Sequence, residues 1–326
     1  MSDFSDIIGN EATVRSLRAA LANGRAVQSA AFCGERGSGK KTLARAYAGA
    51  LLCEAGLPAA CGVCGSCRAF ESGNHPDFMA VSSGGAKSVG VGDVRRAVAE
   101  VSLRPLKAGR KVYIFEDAQI MTAAAQNALL KVLEQPPPFA VFILLSDSVS
   151  ALLPTVRSRC IIYKTQPVGE AMVKKRLIET GVPAGAASLA AAYARGNIGR
   201  AAELARDAAF QEMRSQIPLL LAGLKDRGPA DAFALAKRFE AWKDRAPEAL
   251  SIALMWYRDA LAYKECGGRF VIAADMLDLL EAHAGPLDAA GLLAQLGAVE
   301  RAEARLRTNA NFQLTLEVMF LDLILL

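Results

Sequence analysis

The stretch Gly34-Glu35-Arg36-Gly37-Ser38-Gly39-Lys40-Lys41-Thr42 most narrows what this chain can fold into. It follows the apolar run Ala30-Ala31-Phe32-Cys33, which reads as a strand, and it opens an alanine-rich segment, Leu43 to Leu52, which reads as a helix. A strand, a glycine-rich turn and a helix in that order aim backbone N–H groups at phosphate oxygens. The helix N-terminus adds partial positive charge, and Lys40 would reach the terminal phosphates. The pattern fails at one place. Where a Ser or Thr hydroxyl would ligate Mg²⁺ the chain has Lys41, and Thr42 comes one position late, a rotation of about 100° on a helix.

Further strands are expected at Phe78-Met79-Ala80-Val81, Val112-Tyr113-Ile114-Phe115, Ala140 to Leu145, and Ile161-Ile162-Tyr163, alternating with helical segments. The run Ala140 to Leu145 is apolar throughout, as in a strand of a parallel sheet covered on both faces. The expected fold class is therefore α/β with a doubly wound parallel sheet. The strand before Glu116-Asp117 ends in paired carboxylates, of which one would organise a Mg²⁺ shell and the other polarise an attacking water. The order here is Glu then Asp, so each side chain differs in reach by a methylene from the usual Asp-Glu arrangement. Ser146 lies at the carboxyl end of the next strand, the edge at which such sheets bind ligands. Thr122 is expected to cap a helix that Pro136-Pro137-Pro138 stops. Ser82 to Gly92 reads as a mobile loop, with Asp93 capping the helix after it. His75-Pro76-Asp77 reads as a turn, and Arg104 to Lys111 as a basic, solubilising turn, with phosphate contact as the alternative.

Four of the seven cysteines, Cys53, Cys61, Cys64 and Cys67, fall within fifteen residues. Thiolates at this spacing can close a tetrahedral Zn²⁺ shell with no open position, so a structural zinc site is expected, with His75 too far along to be a ligand. Past Gln166-Pro167 the composition turns to alanine-rich helices without strand signal, and the chain divides as 1–167, 168–208 and 209–326, with the cysteine module inserted at 53–67. Trp242 and Trp256 belong to no chemical motif and are expected in the core. Half the residues are apolar, which excludes a disordered chain, and no run approaches the length of a membrane span. The start, Met1 to Asp6, is acidic where a signal peptide is basic, so a cytoplasmic protein is expected. The net charge of +5 permits contact with nucleic acid without demanding it.

Several of these pieces together carry a resemblance: Ile8-Gly9, the loop Gly34 to Thr42, the four cysteines, Lys111 to Ala118, Asn127 to Pro137, and Arg157-Ser158-Arg159-Cys160. Asn309-Ala310-Asn311-Phe312-Gln313-Leu314 adds to it more weakly. The chain resembles the bacterial clamp-loader branch of AAA+ proteins. The resemblance implies an AAA+ P-loop core, a small helical lid and an all-α collar used for oligomerisation. It implies a pentamer with gamma/tau- and delta-type subunits that uses ATP to load a sliding clamp on primed DNA, and no polymerase site in this chain. By position, Arg159 matches the arginine finger that acts in trans on a neighbour's ATP. The reading of Arg159 as the partner of a carboxylate on its own domain stands beside it.

Gly34, Gly37, Gly39, Lys40 and Thr42, with Glu116, Asp117 and Ser146, match a degenerate site for ATP and Mg²⁺. Lys41, the inverted carboxylates, and Gly199 where the ATPase subunits place a sensor arginine each remove or displace a polar contact, so weak or vestigial nucleotide binding is expected. A working ATPase motor subunit is the alternative, and a zinc-dependent nucleic-acid module is a third, less supported reading because no basic helix or aromatic platform accompanies the cysteines.

Overall fold

The computed structural model describes residues 3–56, 58–308 and 310–326. Met1 and Ser2 of the acidic start, and Asn309 of the last resembling segment, lie outside the described residues. Five strands, β1 (Ser29–Cys33), β2 (Phe78–Val81), β3 (Lys111–Phe115), β4 (Ala140–Ser146) and β5 (Ile161–Lys164), form one parallel sheet in the order β2-β3-β4-β1-β5. The three central strands are buried along their whole length, which is why their sequences are apolar without alternation. The edge strands β2 and β5 keep exposed positions.

Helices cover both faces. They are α1 (Glu11–Ala22), α2 (Lys40–Leu52), α3 (Gly65–Glu71), α4 (Val91–Ala99), α5 (Ala123–Glu134) and the single turn α6 (Pro154–Arg157). Successive strand residues point to opposite sides. Phe32, Ile114 and Ile143 therefore pack with Leu17, Tyr47 and Leu51, while Phe115, Phe142 and Leu144 pack with Val94, Leu129 and Leu133. Each large apolar side chain so buried contributes about 1.5–3 kcal/mol. The doubly wound sheet expected from the sequence is the one observed.

Topology places the site. The loop after β1, the pair Glu116-Asp117 after β3 and Ser146 at the end of β4 all lie at the carboxyl edge of the sheet. The chain leaves β1 with β4 on one side and β5 on the other, and such a switch of strand order opens a crevice at that edge.

Two local expectations are corrected. Asp93 does not cap α4: Gly90 holds that position and Asp93 lies in the first turn, paired with Arg96, where a carboxylate also meets the positive end of the helix. The loop from Ser82 is pinned before Gly92, because Val89 bridges to Met121 and exchanges backbone hydrogen bonds with Ile120 and Thr122. Thr122 caps α5 as expected, its hydroxyl accepting from the Ala125 N–H.

After β5 the described chain is helical: α7 (Glu170–Glu179), α8 (Ala184–Tyr193), α9 (Ile198–Leu204), α10 (Ala208–Ala222), α11 (Asp231–Phe239), α12 (Ala246–Cys266), α13 (Leu277–Ala284), α14 (Ala289–Arg307) and α15 (Phe312–Leu325). The chain divides into two compact units, Met1–Val173 with Gly196–Arg200, and Lys174–Arg195 with Ala201–Leu326. In the second unit the long α12 is the central element, packed against α10, α13 and α14, while α15 packs on α11 and α14. Trp256 is buried on α12, and Trp242 is half-buried, edge-on to Phe239 at 5.0 Å. No helix among the described residues is long and apolar enough to cross a membrane.

Candidate functional site

The glycine-rich loop has the backbone of a phosphate cradle, but its charged groups are already paired. Lys40 Nζ donates to the Gly34 carbonyl and to Asp147 Oδ1 at 2.7 Å, and its side chain is only 10% exposed. Lys41 Nζ reaches Glu116 Oε2 at 2.8 Å. The ammonium of an exposed lysine therefore sits on the carboxylate that would organise Mg²⁺. Asp117 turns away from the loop and accepts from the Ser83 N–H and hydroxyl at 3.0 and 2.9 Å. Ser146 is buried and its hydroxyl donates to the Ser148 carbonyl at 2.8 Å. Thr42 is half-buried inside the first turn of α2. The structure thus joins Lys41 with Glu116 and Lys40 with Asp147, and gives Asp117 and Ser146 partners of their own.

The loop is also covered. Asn197 Nδ2 donates to the Arg36 carbonyl at 2.7 Å, and the Gly199 N–H donates to the Gly37 carbonyl at 3.0 Å. Gly37 holds φ +85°, and a Cβ there would lie 2.5 Å from Asn197 Oδ1. A Cβ on Gly199 would lie 2.6 Å from the Gly37 Cα. The close approach of these two glycines leaves no room at position 199 for a side chain of any size. Thr165 closes the other flank, its hydroxyl donating to Ser38 Oγ at 2.8 Å.

The four cysteines converge. Their sulfurs lie within 4.8 Å of one another, with Cys61 and Cys67 at 3.9 Å. Zinc–sulfur bonds of about 2.3 Å in a tetrahedron put the sulfurs about 3.8 Å apart, so the residues fit a four-thiolate metal shell. The Cys64 sulfur caps α3 by accepting from the Cys67 N–H at 3.3 Å, and Cys53 accepts from the Cys61 N–H at 3.3 Å. Burial works to raise the Cys64 thiol, but the backbone donors of Cys67 and Glu54 and the neighbouring thiols outweigh it and bring it down to about 6. Burial pushes Cys67 up to about 12. A cation bound among the four sulfurs would favour the thiolate at each of them.

His75 and Asp77 do more than make a turn. Asp77 is fully buried, and both carboxylate oxygens accept backbone N–H groups, from Leu106 at 2.6 Å and from Lys107 and Ala108 at 2.7 Å. Burial alone would raise its pKa, but the three donors hold it below the usual carboxylate range. The basic loop is thereby fixed to the start of β2. His75 Nδ1 accepts from the Asp77 N–H at 3.0 Å, which makes Nε2 the protonated nitrogen, donating to Ser66 Oγ at 2.9 Å beside Cys67. With both ring nitrogens engaged, His75 ties the cysteine module to the sheet.

Arg159 follows α6, whose position is set from α5. Buried Gln126 donates to the Ala151 carbonyl at 3.1 Å and accepts from the Leu153 N–H at 2.8 Å. The Arg159 Nη1 donates to the Thr155 carbonyl at 2.9 Å and to Ser158 Oγ at 3.3 Å, and Nη2 lies 3.4 Å from Glu134 Oε2. The side chain remains 31% exposed.

Asp147, Asn197, Glu134 and Asp77 are residues that sequence reasoning passed over. Asp147 carried a signal, being an acid directly after a strand at the carboxyl edge of a parallel sheet. Asp77 also carried one, an acid held by a proline just before a strand. Asn197 and Glu134 act across 161 and 25 residues of chain, and nothing local marks them.

The comparisons with known proteins agree along most of the chain. The family profile "DNA polymerase III, delta subunit" matches residues 9–169, and "DNA polymerase III, delta subunit, C terminal" matches residues 219–324. The chain is 32% identical over 295 residues to the DNA polymerase III subunit delta′ of Bacillus subtilis, covering 90% of this chain and 89% of that one. This chain belongs to the DNA polymerase III delta′ family. The Pseudomonas aeruginosa delta′ subunit is 42% identical over 144 residues, 42% of this chain and 43% of the relative. The tau/gamma subunit of Haemophilus influenzae is 32% identical over 175 residues, 53% of this delta′-family chain but only 25% of the longer relative.

Proposed function

We propose that this delta′-family chain is a non-hydrolysing clamp-loader subunit that donates Arg159 to the ATP bound by a neighbour. In this reading it assembles with gamma/tau- and delta-type subunits into a pentamer, which loads a sliding clamp on primed DNA. Residues 209–326 serve as the oligomerising collar, 168–208 as the lid, and Cys53, Cys61, Cys64 and Cys67 hold a structural zinc.

The observation that carries the proposal is the pairing of Lys40 with Asp147 and of Lys41 with Glu116. Mg-ATP would have to displace both pairs, and Lys41 would then repel the metal. Loss of the hydroxyl ligand and of the free phosphate-binding lysine removes charge-assisted contacts of about 1.5–3 kcal/mol each. A planar guanidinium at a γ-phosphate, by contrast, stabilises the charge that spreads over the oxygens in the transition state. The purified chain alone is expected to show no ATP turnover above background and no saturable Mg-ATP binding at millimolar nucleotide. Tight binding with turnover would replace the proposal by the motor-subunit reading.

Metal removal gives an independent check on the cysteine module. The purified chain should carry one zinc, and a strong chelator should lower Tm by about 5–10 °C, because a structural zinc contributes folding free energy outright. A metal-free chain with an unchanged Tm would remove zinc from the account.

A further inference from the structure

Arg159 emerges between the carboxyl ends of two helices. It follows α6, whose Thr155 carbonyl takes Nη1, and it faces Glu134, the last residue of α5. A carboxylate at a helix C-terminus meets the negative end of the macrodipole and weakens the helix unless a cation compensates it. Helix stability therefore gives no reason for an acid at position 134. Its contact with Arg159 does.

The geometry of that contact is particular. Nη1 is held firmly, by a carbonyl at 2.9 Å and the Ser158 hydroxyl at 3.3 Å, whereas Nη2 meets Glu134 Oε2 at 3.4 Å, longer than the 2.7–2.9 Å typical of charge-assisted bonds. Nε is buried without a hydrogen-bond partner. The Glu134 side chain is 58% exposed, so it can exchange the guanidinium for water at little cost. One edge of the fork is thus fixed while the other is steered by a loose, replaceable carboxylate. The same helix fixes the base of the device, since Gln126 on α5 bonds both Ala151 and Leu153 ahead of α6.

We infer that Glu134 is a positioning residue for Arg159: it holds the Nη2 edge of the guanidinium extended until a phosphate oxygen of a neighbouring subunit's nucleotide replaces it. This rests on the reading of Arg159 as a finger acting in trans. Without the carboxylate the fork is tethered only through Nη1 and turns about that bond. Fewer encounters then present it in bidentate geometry, which lowers turnover rather than nucleotide affinity.

The test uses the full chain assembled with its ATPase partner subunits, sliding clamp and primed DNA, reading ATP turnover against ATP concentration. Glu134→Gln keeps the shape and removes the charge. At the ATP site that Arg159 serves it should lower kcat by about three- to five-fold, with KM within about two-fold and the Tm of the isolated chain unchanged. In an Arg159→Ala background the same substitution should change nothing further, since the two residues act as one unit. An equal loss from Glu134→Gln with and without Arg159, or an unchanged or raised kcat while Arg159→Ala alone is inactive, would overturn the positioning role and leave the finger in place. An Arg159→Ala complex with full activity would overturn both.

Discussion

With Arg159 in the proposed finger role, Arg159→Ala should reduce hydrolysis at the neighbour's ATP site by about a thousand-fold, the range in which a missing arginine finger is felt, and clamp loading should fail with it. The substitution leaves the subunit itself intact. Among the described residues the Arg159 guanidinium bonds to Thr155 and Ser158 and pairs with Glu134, with 31% of its side chain exposed, and a part-exposed pair of this kind is worth about 0–1 kcal/mol. The variant should therefore assemble normally, and its Tm should stay within about 2 °C of the parent. Arg159→Lys keeps the charge but loses the planar fork, so it should recover only part of the rate. ATPase assays of the reconstituted complex, with assembly followed by gel filtration, separate these outcomes.

The second large effect is on stability, at Asp77. Asp77→Ala strips three backbone N–H groups of their acceptor at a fully buried position, and it should cost about 3–5 kcal/mol. Asp77→Asn keeps one acceptor oxygen and should lose roughly half of that. The effect carries a pH signature. The folded state holds the Asp77 carboxyl below its unfolded value, so its stabilisation is complete above about pH 4 and is lost as pH falls through the folded pKa. His75, whose pKa burial lowers, acts in the same direction from about pH 6.5 downward. Urea unfolding at pH 7 and at pH 3 should show a smaller difference between Asp77→Ala and the parent at the lower pH. An equal difference at both would assign the loss to packing alone.

The sheet was legible because burial on both faces writes itself into sequence: Ala140 to Leu145 is apolar without interruption, and it is the buried strand β4. The four cysteines were legible from spacing, and their sulfurs do meet. The state of the phosphate loop was only half legible. Lys41 announced a missing ligand, but that Lys40 is held by Asp147, 107 residues away, and that Gly199 lies on Gly37 depend on which loops the parallel topology brings to one edge. Charge pairs between distant loops have no period and no cap to betray them. Glu116 and Asp117 illustrate the point, since adjacent acids of one motif face different partners, Lys41 and Ser83. Asp93, read as a cap, lay inside the first turn instead because both positions favour the same residue type.

In the proposed role the chain's own phosphate loop is silent while Arg159 works at a neighbour. The most direct measurement is the clamp-loading rate of complexes in which this subunit alone carries either Lys40→Ala or Arg159→Ala. Loading unchanged by Lys40→Ala and abolished by Arg159→Ala is the predicted result. Loading abolished by Lys40→Ala and unaffected by Arg159→Ala would contradict the account.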